Sequence, residues 1–172
     1  MNTTTLTSPT AAASFSSAEF KQCLGMFATG VTVITTRSTD DRLIGFTANS
    51  FNSVSLSPPL VLWSLSCHSS ALTPFLHCKH YAINILAADQ KDLALQFSAK
   101  IPDRFAGVDY SLNDHGVPLL AGAVAQFECS NRSRYHEGDH MIFVGEVHRC
   151  SHQNGASPLL YHGGQFYTEH PL

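Results

Sequence analysis

Val31-Thr32-Val33-Ile34-Thr35-Thr36 is a run in which every residue branches at Cβ. Such side chains lose χ1 freedom in a helix and pack well on a pleated surface, so the run predicts a strand. Upstream, Gly30 halts a pattern in which Phe20, Cys23, Leu24 and Phe27 recur at helical spacing behind the capping-box pair Ser16 and Glu19, which predicts a helix over about residues 17–28. Downstream, Ser38-Thr39-Asp40-Asp41 has turn composition and Leu43 to Thr47 resumes an extended pattern, so the strand continues into a hairpin. An antiparallel pair thus stands near the start of the chain.

Beyond it, residues 43–78 carry no Asp, Glu, Lys or Arg, while Asn49, Ser50, Asn52, Ser53, Ser55 and Ser57 crowd the middle of that stretch. Two readings stay open: a loop that satisfies its own backbone, or a neutral hydrogen-bonding cradle. Pro58-Pro59 ends the segment ahead of a buried strand from Leu60 to Leu65. A short helix to about His77 follows, with Ser69 or Ser70 as its cap. Tyr81 to Leu86 reads as a strand, and Asp89 as the cap of a helix that stops before Pro102. Lys100 to Tyr110 is polar and irregular, the composition of a mobile flap. Ala123 to Ser133 and Met141 to Cys150 have strand composition, with short strands near Leu159-Leu160-Tyr161 and Gln165-Phe166-Tyr167. Strands outnumber helices without strict alternation, which excludes a doubly wound parallel sheet and predicts a small antiparallel barrel of mainly β, α+β class with two or three flanking helices.

The 172 residues suit one domain, expected over residues 16–168 behind a disordered tail over residues 1–15. Charged residues make up only 13%, about half of the usual ~25%, so part of the surface is expected to be covered. A net charge of −3 with no block of like charge argues against nucleic acid or an anionic membrane as partner. Five cysteines without a Cys-x-x-Cys pair read as reduced thiols in a cytoplasmic protein. The apolar run Leu60-Val61-Leu62-Trp63 falls far short of the ~20 residues that span a bilayer.

His136-Glu137-Gly138-Asp139-His140 matches the His-Glu-x-x-His zinc pattern in letters, but that chemistry needs both histidines on one helix face, and here Gly-Asp stands between them ahead of strand-forming Met141 to Val144. No metal site is expected. A Gly-x-Gly-x-x-Gly turn, a phosphate loop and a Gly-x-Ser-x-Gly elbow are all missing from the sequence.

Three segments carry a resemblance. Phe27-Ala28-Thr29-Gly30-Val31-Thr32-Val33-Ile34-Thr35, then Thr47-Ala48-Asn49-Ser50-Phe51-Asn52-Ser53-Val54-Ser55-Leu56-Ser57-Pro58-Pro59, and finally Gly138-Asp139-His140 with Gly145-Glu146-Val147, resemble the short-chain flavin reductase family. The likeness runs in order from about Phe20 to Tyr167. It implies an antiparallel split β-barrel of the FMN-binding type, a homodimer with flavin sites near the subunit interface, and hydride transfer from NADH or NADPH to FMN or FAD. It further implies that reduced flavin leaves for a partner monooxygenase. A flavin-binding barrel with little reductase turnover is the rival expectation.

Carried over by position, the resemblance makes Thr47, Ala48, Asn49, Ser50, Phe51, Ser53 and Val54 the isoalloxazine and ribityl contacts. The stretch from Ser64 and Leu65 through His68 to Ser69 and Ser70 would meet the phosphate at a helix start. Where relatives often have a basic residue in this stretch, only His68 is found, so Lys100 or Arg104 is expected to neutralise the phosphate. His140 is the expected nicotinamide residue, orienting the ring without transferring a proton; the bland alternative is a strand-start histidine bonded to Asp139 or to backbone. Tyr161, Gly164 and Tyr167 resemble the family's aromatic end motif, which would close the pocket.

Overall fold

A computed structural model of the chain describes residues 14–170 and Leu172. The tail expected over residues 1–15 therefore lies outside the described residues except for Ser14 and Phe15. Helix α1 (Ser17–Gly25) starts at the anticipated capping box: the Ser16 hydroxyl accepts from the Glu19 N–H at 3.2 Å, and the Ser16 N–H donates to the Glu19 carboxylate at 2.7 Å. It ends at Met26, earlier than the periodicity predicted.

Strands β1 (Thr29–Gly30), β2 (Thr32–Arg37), β3 (Leu43–Ala48), β4 (Asn52–Leu56) and β5 (Pro59–Ser66) lead to helix α2 (Leu72–His77) and strand β6 (His80–Ile85). A 3-10 turn (Ala88–Gln90) and helix α3 (Lys91–Ser98) follow, then β7 (Tyr110–Leu112), β8 (Pro118–Leu120), β9 (Ala125–Glu137), β10 (His140–His152), β11 (Leu160–His162) and β12 (Gln165–Tyr167). Seven strands form one antiparallel sheet in the order β3-β2-β6-β9-β10-β5-β4.

That order forces curvature. β3 and β4 are the two edges of the sheet, yet only Asn49, Ser50 and Phe51 connect them. Ala48 to Asn52 reaches at most about 14 Å, whereas seven strands laid flat span about 29 Å. The sheet must roll until its edges nearly meet, leaving a split barrel rather than an open sheet. The Ser50 hydroxyl stitches the seam: it donates to the Ser64 carbonyl at 3.0 Å and accepts from the Ser64 N–H at 2.9 Å.

Both faces of β2 are covered, which is why its β-branched run shows no polar alternation. Ile34 points into a barrel core with Phe46, Trp63, Phe75, Tyr81, Ile83 and Phe143, while Val33 joins Leu86, Ala94, Phe97 and Phe105 on the α3 side. Trp63 stacks on Phe143 at 4.2 Å and meets Phe75 edge-on at 5.0 Å. The buried threonines of β2 spend their hydroxyls on carbonyls, Thr32 on Ala48 at 2.8 Å and Thr35 on Pro118 at 2.6 Å.

Four local expectations are corrected. The Ser/Asn-rich middle is partly a strand, β4, because β5 offers it a ladder that outweighs the weak strand preference of Ser and Asn. Ala71, not Ser69 or Ser70, stands at the N-cap of α2; the Ser69 hydroxyl instead accepts from the Ala71 N–H at 3.2 Å, one turn ahead of the helix. Asp89 lies within the 3-10 turn, and the Gln90 side chain accepts from the Ala87 N–H at 3.0 Å in the capping position. Finally, residues 100–110 are pinned rather than flap-like: Phe105 is buried edge-on against Phe97 at 4.9 Å, and Gln96 donates to the Arg104 and Ala106 carbonyls at 2.9 and 3.0 Å.

Candidate functional site

Barrel closure brings distant segments to the seam. A groove of about 730 Å³ runs between the end of β5 and the segment after α3, and its walls unite His68, Ser69 and Ser70 with Lys100 and Arg104, as well as Arg42, Gly45 and Ser98. The volume is within the ordinary range for ligand sites, about 300–1,000 Å³. The cationic side chains are not equivalent. Arg42 pairs with Asp40 at 2.6 Å, and Arg104 donates to the Ala99 and Gly45 carbonyls, each at 2.9 Å. Arg104 thus ties the loop to β3 through neutral acceptors, and among the described residues neither Arg104 nor Lys100 is ion-paired, Lys100 being the one of the groove's lysines and arginines with no hydrogen bond of its own. A hydrogen bond from Ser38 and the Arg42 guanidinium keep the Asp40 carboxyl below the usual carboxylate range.

A second cavity of about 570 Å³ opens where α1 meets the β11–β12 turn, lined by Asn49, Tyr161 and Gly164 together with Gly25, Met26 and Phe27. Asn49 brings the seam connection to the wall of this second cavity. The backbone turns sharply here: Gly163 and Gly164 have φ of 56° and 84°, values that suit glycine, and the Gly163 N–H donates to the Gly25 carbonyl at 2.9 Å.

His140 opens β10, opposite Ser66 on β5. The His-Glu-x-x-His letters span a β-hairpin turn, with Gly138 at φ 59°, instead of one helix face. The His140 ring Nδ1 lies 2.7 Å from an Asp139 carboxylate oxygen, and the Asp139 carbonyl accepts from the Cys67 N–H at 2.8 Å. The hairpin turn is thereby fastened to the stretch that leads into the groove. The hydrogen bond from His140, then its charge, hold the Asp139 carboxyl below its ordinary value, with a smaller effect from His68.

The family description "Flavin reductase like domain" matches residues 24–170. The chain belongs to the flavin reductase family. This flavin reductase is 46% identical over 150 residues to FMN reductase (NADH) SmoA of Agrobacterium fabrum, covering 87% of the present chain and 84% of that relative. It is 37% identical to HsaB of Rhodococcus jostii, the reductase subunit of a flavin-dependent monooxygenase, over 86% of this chain and 75% of that one. Among solved structures, the NADH:FAD oxidoreductase SgcE6 of Streptomyces globisporus, in complex with NAD and FAD fragments, superposes with a TM-score of 0.85 at 38% identity, over 90% of this reductase and 93% of that chain.

Several residues expected at the site offer less than their side chains promised. Leu65 and Ala48 are core residues, so only their backbone is open to a ligand. Thr47 donates its hydroxyl to the Ala94 carbonyl at 2.6 Å, Ser50 spends its hydroxyl on β5, and Phe51 leans on Phe127 at 5.5 Å. Ser53 and Val54 are exposed on edge strand β4, Ser64 is held by Ser50, and Tyr167 is about half exposed at the end of β12. The bond between His140 and Asp139 at the start of β10 is the one that the strand-start alternative anticipated. Sequence reasoning missed Arg42 and the α1 wall of the second cavity, both of which depend on closure.

Proposed function

We propose that this reductase passes hydride from NADH to FMN or FAD and delivers the reduced flavin to a partner monooxygenase. The observation that supports it best is the convergence of His68, Ser69, Ser70 and Lys100 on one groove beside the seam. In this reading the groove takes the flavin phosphate, with Lys100 as its cation and Arg104 holding the loop in place. The seam residues Thr47 to Phe51, with Ser53 and Val54, meet the ring system and ribityl chain, largely through backbone. Tyr161, Gly164 and Tyr167 border the ring end, and His140 stands on the nicotinamide side. When bound, the flavin supplies the hydride acceptor and the nicotinamide the hydride, so the protein's task is to stack, orient and exclude water. A direct transfer needs no acid–base pair.

The working unit in this proposal is a homodimer. Helix α1 buries none of its residues, and Phe20, Leu24, Met26 and Phe27 are 50%, 57%, 72% and 74% exposed beside the second cavity. An apolar patch of this kind marks an interaction surface, and a second copy would cover it. Among the described residues no helix is long and apolar enough to cross a membrane, and the five cysteines are free thiols, which supports a cytoplasmic location.

A flavin titration paired with an NADH assay tests the reading. NADH oxidation should rise and saturate with added FMN or FAD, faster than with NADPH. Tight flavin binding without NADH or NADPH turnover would replace it with a storage function.

A further inference from the structure

The groove is larger than a flavin phosphate needs. Its volume of about 730 Å³ suits a drug-sized group, and Thr47 to Phe51, which meet the ring system and ribityl chain in the proposed function, are not among the described residues that wall it. The ring therefore lies outside, and FMN would place only its terminal phosphate within. Past Ser69, Ser70 and Gly45 the wall continues through Ile44 and Leu43 to Arg42. Three steps of extended chain from Gly45 to Arg42 add about 10 Å, directed away from the seam. At that end Arg42 is held still. Its Nε lies 2.6 Å from one Asp40 carboxylate oxygen, and the other oxygen accepts from the buried Ser38 hydroxyl at 2.6 Å. The turn is closed by the Ser38 N–H, which donates to the Arg42 carbonyl at 2.9 Å, and by the Asp41 N–H, which donates to the Ser38 carbonyl at 3.0 Å. Asp40 thus neutralises the charge that would draw a phosphate, while the Arg42 side chain stays 70% exposed. A fixed, exposed guanidinium plane is a stacking surface for a purine base.

We propose that Arg42 is the residue that selects FAD over FMN: its guanidinium, oriented by Asp40, is the platform on which the adenine of FAD stacks at the far end of the groove. The inference rests on the placement of the flavin phosphate at His68 to Ser70, and it names which flavin the site takes. Ile101, 42% exposed, and Pro102 add apolar surface from the segment after α3, which suits the flat face of the base. FMN has nothing to put there, so only the dinucleotide gains from Arg42.

The test measures Kd by calorimetry for riboflavin, FMN and FAD on the wild type, Arg42→Ala and Arg42→Lys, together with the KM for NADH. The wild type should bind FAD about fivefold or more tightly than FMN, equivalent to about 1 kcal/mol, the scale of an exposed cation–π contact. Arg42→Ala should bring FAD to the FMN value and leave FMN unchanged. Arg42→Lys keeps the charge but not the plane, so it should lose the preference as well; a preference retained with lysine overturns the stacking. Equal losses for FMN and FAD in Arg42→Ala overturn the adenine platform in favour of an effect on the phosphate. Equal wild-type affinities for FMN and FAD overturn the selection outright. An unchanged ratio with a raised KM for NADH in Arg42→Ala assigns the platform to the nicotinamide dinucleotide and overturns the proposal. Wild-type FMN binding no tighter than riboflavin overturns the phosphate placement itself, a failure read from a different pair of ligands.

Discussion

Gly145→Ala should destabilise the barrel through one identifiable collision. A Cβ built at Gly145 falls inside contact distance of the Tyr81 hydroxyl, 2.9 Å from Tyr81 Cζ and 3.1 Å from Cys129 Cβ. Neither neighbour has room to yield: Tyr81 is fully buried edge-on to Trp63 at 5.3 Å, and Cys129 belongs to the same core. Overpacking typically costs about 1–3 kcal/mol, and a collision with a ring and a second core residue puts this case at about 2–3. For a chain of this length that lowers Tm by about 4–12 °C. The Tyr81 hydroxyl lies beside the Trp63 indole without reaching hydrogen-bond geometry and has no other partner. Tyr81→Phe alone should therefore be within about 1 kcal/mol of the wild type. The double variant should recover about 1 kcal/mol or more of the Gly145→Ala loss, a coupling read by thermal unfolding of all four proteins. Additive losses would refute the collision, and with it the explanation of why the strand carries glycine where its ladder with β9 slips register.

Three further outcomes are open to measurement. Lys100→Ala should weaken FMN binding about fivefold, the upper end of the ~1 kcal/mol available to an exposed charge pair, while leaving riboflavin, which has no phosphate, unaffected in a fluorescence titration; equal losses for both would move the phosphate elsewhere. Phe20→Asp combined with Leu24→Asp should turn a dimer into a folded monomer by light scattering, and a wild type already monomeric with flavin present would remove the proposed interface. At His80, burial first and then the nearby His115, His148 and Lys79 charges lower the pKa from its ordinary 6.5. The folded state thus favours the neutral ring, so its contribution to stability is intact above about pH 6.5 and is lost as pH falls. His115, stacked on His80 at 3.7 Å, Asp114, Glu128, His148 and Arg149 line the same small cavity. His80→Phe should flatten denaturant midpoints between pH 7 and 5, and an unchanged slope would show that the loss arises elsewhere.

The elements legible in the sequence are those whose signal is carried by neighbours along the chain. The β-branched run of β2, the Ser16–Glu19 cap of α1 and the Gly138–Asp139 turn each depend on a few consecutive residues, and each stands where local sterics and local hydrogen bonds put it. The seam motif Thr47 to Pro59 was readable as a resemblance, because its letters persist whatever conformation they adopt. Tertiary structure alone decided that Asn52–Leu56 is an edge strand, that Arg104 is committed to two carbonyls instead of standing free, and that Leu65 and Ala48 face the core. The physical reason is that side chains alternate in a strand with period two, so which face meets a ligand depends on the partner's register, and that register is set across the sheet. Joining residues 68–70 to residues 42–45 and 100–104 needs the sheet to roll, and what makes it roll is the strand order together with a three-residue connection between its two edges, whereas residues 139–140 meet Ser66 and Cys67 directly across the β5–β10 ladder.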